Sequence, residues 1–329
     1  MARRKTKGNV VNGWVVLDKP HGMTSTQAVG AVRRAFDAQK AGHAGTLDPL
    51  ATGILPIALG EATKTVPFAV DGDKAYRFTV VWGAETTTDD VEGPVTKSSE
   101  TRPTRAAIEA LLPQFHGAIQ QTPPQFSAIK IGGERAYDLA RSGEEVALEP
   151  RTVHVHALRI ADMPDASTTV FEAECGKGTY VRAIARDLGR LLGCYGHVTA
   201  LRRTRVGSFN EDRAVTMETL RLAAFGSAEA PPRRDRDLPP AEQPPPQPVD
   251  LVAVLKHLEP VEAALEEIIG LVVTPSDAIL LARGKSLIIR GRDAPIDSGA
   301  AYAMCKGRLV ALGDLEKGQL HPTRIFNLG

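Results

Sequence analysis

The stretch Gly42-His43-Ala44-Gly45-Thr46-Leu47-Asp48-Pro49-Leu50 sets one carboxylate in a glycine-rich loop. Gly42 and Gly45 remove side chains where a planar substrate could approach, and they permit backbone angles that other residues avoid. Pro49 biases Asp48 away from helical angles and toward extended backbone. Such a loop could present one carboxylate to a base turned out of its stack. The same Asp-Pro pair also suits an ordinary turn, in which the carboxylate bonds its own backbone, and spacing alone favours the turn.

Positioning such a loop requires rigid elements on either side. Residues 14–18 read as a buried strand. Thr24-Ser25-Thr26 offers hydroxyl caps for a helix through Phe36, with Val29, Val32 and Phe36 spaced three and four apart. Residues 41–53 hold glycines and a proline and read as an ordered loop. Tyr76 to Trp82 alternates as a strand, with Tyr76, Phe78 and Val80 on one face. Helices are expected at 104–112 and 134–141. Arg151 to Ile160 alternates as a strand, with 169–175 as its neighbour. A helix opens at Gly178-Thr179 and runs to about Leu192, with Arg182, Arg186 and Arg190 four apart on one side. Strand pattern returns from His197 to Phe209, helical pattern over 251–269, and short strands follow to Phe326. Residues 229–249 are proline-rich and nearly free of aliphatic side chains, so they read as a disordered surface insert. Strands with interspersed helices give an α+β fold.

The chain's 329 residues suggest one large domain and one small one. Net charge is +1, which by itself announces no polyanionic partner. The distribution is less even. Arg3, Arg4, Lys5 and Lys7 form a basic tail, and Arg182, Arg186, Arg190, Arg202, Arg203 and Arg205 stand against the single acid Asp187. Such a local basic face suits phosphate, although a solvated face is the commoner cause. The three cysteines, Cys175, Cys194 and Cys305, are far apart and suggest neither a metal site nor a disulfide framework. No signal-peptide core or membrane-length apolar run is visible, which leads to an expectation of a cytoplasmic protein.

The fuller run from His43 through Gly53, with Leu55-Pro56 and Leu59-Gly60-Glu61-Ala62-Thr63-Lys64, resembles the catalytic motif of the TruB family of tRNA pseudouridine synthases. Leu17-Asp18-Lys19-Pro20 and Gly22-Met23-Thr24-Ser25 resemble its N-terminal motif, and Lys74-Ala75-Tyr76 its tyrosine motif. The segment from Pro123 to Lys130, with Gly132-Gly133 and Ala136-Tyr137, is similar to the family's RNA-gripping arm. Cys175 to Arg182 resembles its arginine motif, and His197 to Arg205 the strand that follows. These motifs stand in family order. Phe126 departs from them, standing where the family pattern has tyrosine, and the 229–249 insert lies outside the common pattern.

The resemblance implies a mixed, largely antiparallel-sheet catalytic domain over 12–272, with an arm at about 124–152, and a small β-rich PUA-like domain over 273–329. It implies that uridine 55 (tRNA numbering) in the T loop of tRNA becomes pseudouridine, with no cofactor and no metal. Asp48 would be the nucleophile, Arg182 its ionic partner, and Tyr76 the stacking group near the proton lost from C5. Lys19, His43, Lys130, Tyr180, Leu201 and Arg202 would contact the substrate. Lys19 could instead support the wall of the site, and His43 would fill space vacated in the loop or stack within the opened RNA. Each has a plainer reading: Arg182 as a surface arginine, Tyr76 and Leu201 as core, His43 as a loop histidine. The expected protein is a monomer that needs no protein partner and no membrane. Two other readings compete: a tRNA-folding or RNA-binding factor whose catalysis is secondary, and a guide-RNA-dependent ribonucleoprotein enzyme.

Overall fold

A computed structural model of the chain describes residues 8–127, 130–131, 134–135, 148–227, 229, 247–289 and 297–328. The basic tail up to Lys7, most of the expected arm and nearly all of the proline-rich insert lie outside the described residues.

The larger domain is built on one mixed sheet. Its strands are β1 (Gly13–Lys19), β2 (Ala41–His43), β3 (Thr52–Leu59), β4 (Lys74–Trp82), β7 (Gly117–Gln121), β10 (Arg151–Asp165), β11 (Thr168–Cys175), β12 (Gly196–Val206), β13 (Phe209–Asn210) and β14 (Val215–Thr216). Two small hairpins stand apart, β5 (Ala84–Thr86) with β6 (Val95–Ser98) and β8 (Lys130–Ile131) with β9 (Glu134–Arg135). The main order is β14-β1-β3-β12-β4-β11-β10-β7, with β2 added to β3 and β13 to β12. Pairing is antiparallel except between β1 and β14 and between β3 and β12.

β1 reads as an unbroken apolar run because both of its faces are covered. Val15 and Leu17 enter a core beneath the helices Ser25–Ala35, Val181–Leu191 and Met217–Phe225. Trp14 and Val16 enter a second core on the opposite face. Strands β10 and β11 are covered on one face only and alternate accordingly. Helix Ser25–Ala35 begins where its cap was expected: Thr24 and Gln27 form a reciprocal capping box.

Three local expectations change. Residues 41–43 and 52–53 belong to strands β2 and β3, leaving a shorter loop around Asp48. Glu134–Arg135 is a strand rather than the start of a helix, and 136–141 lie outside the described residues. Residues 251–269 form only a short helix, Leu251–Val254, followed by single helical turns at 255–257 and 261–265. The physical reason is a strand-like detour, in which Trp14 and Glu259 exchange backbone hydrogen bonds of 2.8 and 2.7 Å.

The small domain is a five-stranded sheet with the helix Pro275–Ala282 packed on it. Its first strand, β15 (Ile269–Val272), pairs with β17 (Gly299–Cys305), so the sheet starts inside the segment assigned from sequence to the larger domain. The remaining strands are β16 (Leu287–Ile288), β18 (Arg308–Glu316) and β19 (Gln319–Ile325). Leu309, Leu312 and Phe326 join the second core of the larger domain, and Lys64 donates to the Ile325 carbonyl at 2.7 Å. Among the described residues no helix is long and apolar enough to cross a membrane.

Candidate active site

Asp48 lies between β2 and β3 in a loop held from three sides. The Ser25 hydroxyl donates to the Leu47 carbonyl and accepts from the Leu47 amide, each at 2.9 Å. The Gly22 amide donates to the Pro49 carbonyl at 2.8 Å. Arg203, from β12, donates to the carbonyls of Gly45 and Thr46 at 3.2 Å and of Ile54 at 2.8 Å. Gly45 takes a φ of 93°, a region that favours glycine.

The Asp48 side chain keeps 38% of its surface exposed, whereas Arg182, 2.8 Å away, keeps 5%. Arg182 spends its other donors on Asp90 at 3.2 Å and on the carbonyls of Thr88 and Phe126 at 2.9 Å. A guanidinium with its fork fixed by buried acceptors points one N–H at a half-open carboxylate, which sets that carboxylate's direction. Asp90 is itself fixed by the Thr88 hydroxyl at 2.5 Å and the Glu92 amide at 3.0 Å. The pattern repeats down the helix Val181–Leu191. Arg186 meets Asp89 at 3.0 Å and the Thr122 carbonyl at 2.8 Å, and Arg190 grips Glu85 with bonds of 2.6 and 2.8 Å. Burial pushes Asp89 up to about 6 against the pull of Arg186, Arg182 and Arg190. The Arg190 fork holds Glu85 below the usual carboxylate range.

The other expected site residues gather unevenly. Tyr76 projects from β4 opposite Arg203 of β12. Burial pushes its phenol up, Arg203 pulls it back, and the charge of Asp48 also reaches it. Tyr180 immediately precedes the arginine helix, and Gln121 bonds both its amide and its carbonyl, at 2.8 and 3.2 Å. Burial pushes the Tyr180 phenol up, with Asp48 adding to the effect. His43 ends β2 opposite Ile57, at the entrance to the loop. Leu201, opposite Phe78, is buried and lines an open cleft of about 310 Å³ together with Leu50, Thr52 and Thr79. Arg202 borders the same cleft and is bound by both oxygens of Asp18, at 3.0 and 2.9 Å, and by Glu211 at 2.6 Å. Lys130 contributes a strand position, and its side chain lies outside the described residues.

Lys19 is fully buried, with its ammonium on the carbonyls of Met23 at 2.8 Å, Pro20 at 3.0 Å and Pro49 at 3.4 Å. Burial pushes it down to about 8, while Asp48 pulls it up. Of its two expected roles, this geometry fits the wall of the site and leaves no ammonium open to a phosphate.

The basic face expected from the arginine run is not a free one. Arg182, Arg186 and Arg203 are buried, and Arg190, Arg202 and Arg205 pair with Glu85, Asp18 with Glu211, and Glu174. Apart from Glu211, the neutralising acids come from distant sequence, so a local charge count missed them. Sequence reasoning also missed Asp89, Asp90 and Arg203. Strand parity held a signal for the last, since Arg203 must share a face with Leu201 and oppose Arg202. Among the described residues no cluster of His, Cys, Asp and Glu is arranged to hold a metal ion.

Comparison with known proteins is consistent with this geometry. Residues 33–181 match the N-terminal domain of the TruB family pseudouridylate synthases, and 182–266 match the tRNA pseudouridylate synthase B C-terminal domain. A protein of Bradyrhizobium diazoefficiens named tRNA pseudouridine synthase B is 56% identical over 97% of this chain and 86% of its own length. One of the same name from Mesorhizobium japonicum is 53% identical over 99% of both. A chain of the archaeal box H/ACA sRNP Nop10-Cbf5 complex superposes with a TM-score of 0.67 at 24% identity, covering 97% of this chain and 86% of that one. A chain of an H/ACA RNP bound to a substrate RNA containing 2'-deoxyuridine gives 0.69 at 22%, covering 99% and 92%. At those identities the structural likeness speaks for the fold alone. The sequence matches, more than half identical and running nearly end to end, go further: the chain belongs to the TruB family of pseudouridylate synthases.

Proposed function

We propose that this protein converts uridine 55 in the T loop of tRNA to pseudouridine, with Asp48 as the nucleophile. The reaction is an isomerisation. The bond from ribose C1' to uracil N1 breaks, the ring turns, and C1' bonds C5. The C5 proton leaves and N1 gains one. The target base must first come out of the loop's stack, at a cost of a few kcal/mol. Tyr76 stacks on the uracil with its phenol beside the departing C5 proton, and Leu201 and Tyr180 bound the base. His43, at the entrance to the loop, fills the space that the base vacates in the RNA. The 124–152 arm, with Lys130, clasps the stem-loop, and the small domain, as a PUA-like module, adds surface for the tRNA. The protein acts as a monomer on naked tRNA.

The observation that carries this reading is the Asp48–Arg182 pair: a half-exposed carboxylate aimed by a buried guanidinium. The names of the 51–57% identical relatives support tRNA as the substrate. In the test, purified protein is incubated with a T-arm stem-loop and no added factor. Wild type is expected to form pseudouridine at position 55, and Asp48→Asn to form none while binding the RNA within about threefold of wild type. Product from the Asp48→Asn enzyme would sink the nucleophile assignment. Product only after adding a guide RNA or partner proteins would move the protein to the ribonucleoprotein class.

A further inference from the structure

We propose that Arg203 is a positioning residue that ties the Asp48 loop to the Tyr76 phenol, so that carboxylate and phenol are set as one unit. This rests on the roles given above to Asp48 and Tyr76.

Arg203 grips the loop at both ends. Its side chain takes the Gly45 and Thr46 carbonyls ahead of Asp48 and the Ile54 carbonyl after it. Its backbone lies beside Gly53, where an added Cβ would stand 2.2 Å from the Arg203 carbonyl oxygen. Across the sheet Arg203 is the antiparallel partner of Tyr76, and its charge pulls the phenol down against burial. A single planar fork thus reaches both flanks of the loop from the strand position directly opposite Tyr76.

The charge needs its own explanation. Arg203 is 2% exposed, and among the described residues no carboxylate lies within ion-pair distance of it. A buried cation bonded to carbonyls alone is a costly way to clip a loop, because neutral donors would satisfy the same acceptors more cheaply. The cost makes sense if the charge acts on its neighbours. A guanidinium charge beside the phenol makes the phenolate easier to form, which favours removal of the C5 proton. The same charge opposes protonation of Lys19 on the far side of the loop.

Two variants separate this role from a structural clip. Arg203→Lys keeps the charge and loses the fork, and Arg203→Met keeps the bulk and loses both. Single-turnover rates on the T-arm stem-loop are measured from about pH 6 to 10, with RNA affinity in parallel. The lysine enzyme is expected to slow about tenfold with the wild-type pH profile. The methionine enzyme is expected to slow about a hundredfold, with the ascending limb of its profile moved up by about one unit. Both should bind RNA within about threefold of wild type. If Arg203→Met fails to fold, the single-turnover rate of the lysine enzyme still decides, because a clip with no influence on Asp48 and Tyr76 would weaken RNA binding or stability and spare the rate of the folded enzyme. Equal slowing of both variants with unmoved profiles, or a loss confined to RNA binding, overturns the proposal. A Tyr76→Phe enzyme at full rate overturns instead the role of Tyr76 on which it rests.

Discussion

Behind Asp48, Arg182 and Arg186 face Asp90 and Asp89, and all four side chains are less than a tenth exposed. Across the solvated face of the same sheet, Arg77 and Arg159 flank Glu172, and Arg205 meets Glu174. There the arginines of the first pair keep 52% and 72% of their side-chain surface and Glu172 keeps 29%. The residue types and distances are alike, and burial separates the two regions. In the solvated set, water can replace either partner, and holding two long side chains together consumes most of the Coulombic gain. In the buried set neither partner can be withdrawn cheaply, so the ions keep one geometry. That rigidity is what an aimed carboxylate requires: Arg182 joins the inner ladder to Asp48, the one carboxylate of the three that opens to solvent.

The widest separation between the two regions should come from Arg182→Met. It leaves Asp90 buried without its cation and Asp48 without its guide. The expected loss is about 3–5 kcal/mol of stability, and turnover of the folded fraction should fall at least about a hundredfold. Urea unfolding and single-turnover assays on the same preparation check both. A variant with wild-type turnover would show that the inner ladder only holds the fold together.

Asp89 gives the inner ladder a pH signature of its own. Its folded value lies at about 6, above the ordinary 3.8. Below about pH 3.8 the carboxyl is protonated in both states, so it contributes no pH dependence. Between 3.8 and 6 the unfolded chain gives up its proton while the folded chain retains it. Stability from this group therefore falls as pH rises through that window and is level above it, the whole drop being on the order of 3 kcal/mol. Asp89→Asn cannot ionise. Relative to wild type its stability should climb from pH 4 to about 6 and then run parallel, apart from a constant offset for the altered Arg186 contact. Urea midpoints across that range measure this, and parallel curves throughout would show that burial does not raise Asp89.

How much of this was written in the sequence follows the same division. Local patterns carried the helix capped by Thr24, the buried β1 and the alternation of β4 and β10, because neighbours along the chain decide them. The Asp48 loop was legible through its motif, and so was the helix bearing Arg182. What escaped was settled by partners far away in sequence. The arginines of the 182–205 region looked like an open basic face until strands and a turn from elsewhere delivered Glu85, Asp89, Asp90 and Asp18 to them. Residues 251–269 looked helical until Glu259 was drawn into pairing with Trp14. Lys19 could have contacted the substrate or supported the wall of the site, and only the fold, by wrapping it in carbonyls, chooses between them.

The smallest effect belongs to the outer ladder. Glu172→Gln keeps the shape of the side chain and removes the charge shared between Arg77 and Arg159. Since both guanidinium groups remain largely in water, the expected cost is below about 1 kcal/mol. The cost should also shrink in 1 M salt, where screening falls to roughly 3 Å. Catalysis should not change. The informative quantity is the salt dependence, because screening reaches solvated charges and hardly touches those sealed behind Asp48. If the Glu172→Gln penalty persisted in high salt, or matched that of Arg182→Met, burial could not be what separates the two ladders, and the aim of Asp48 would need another source.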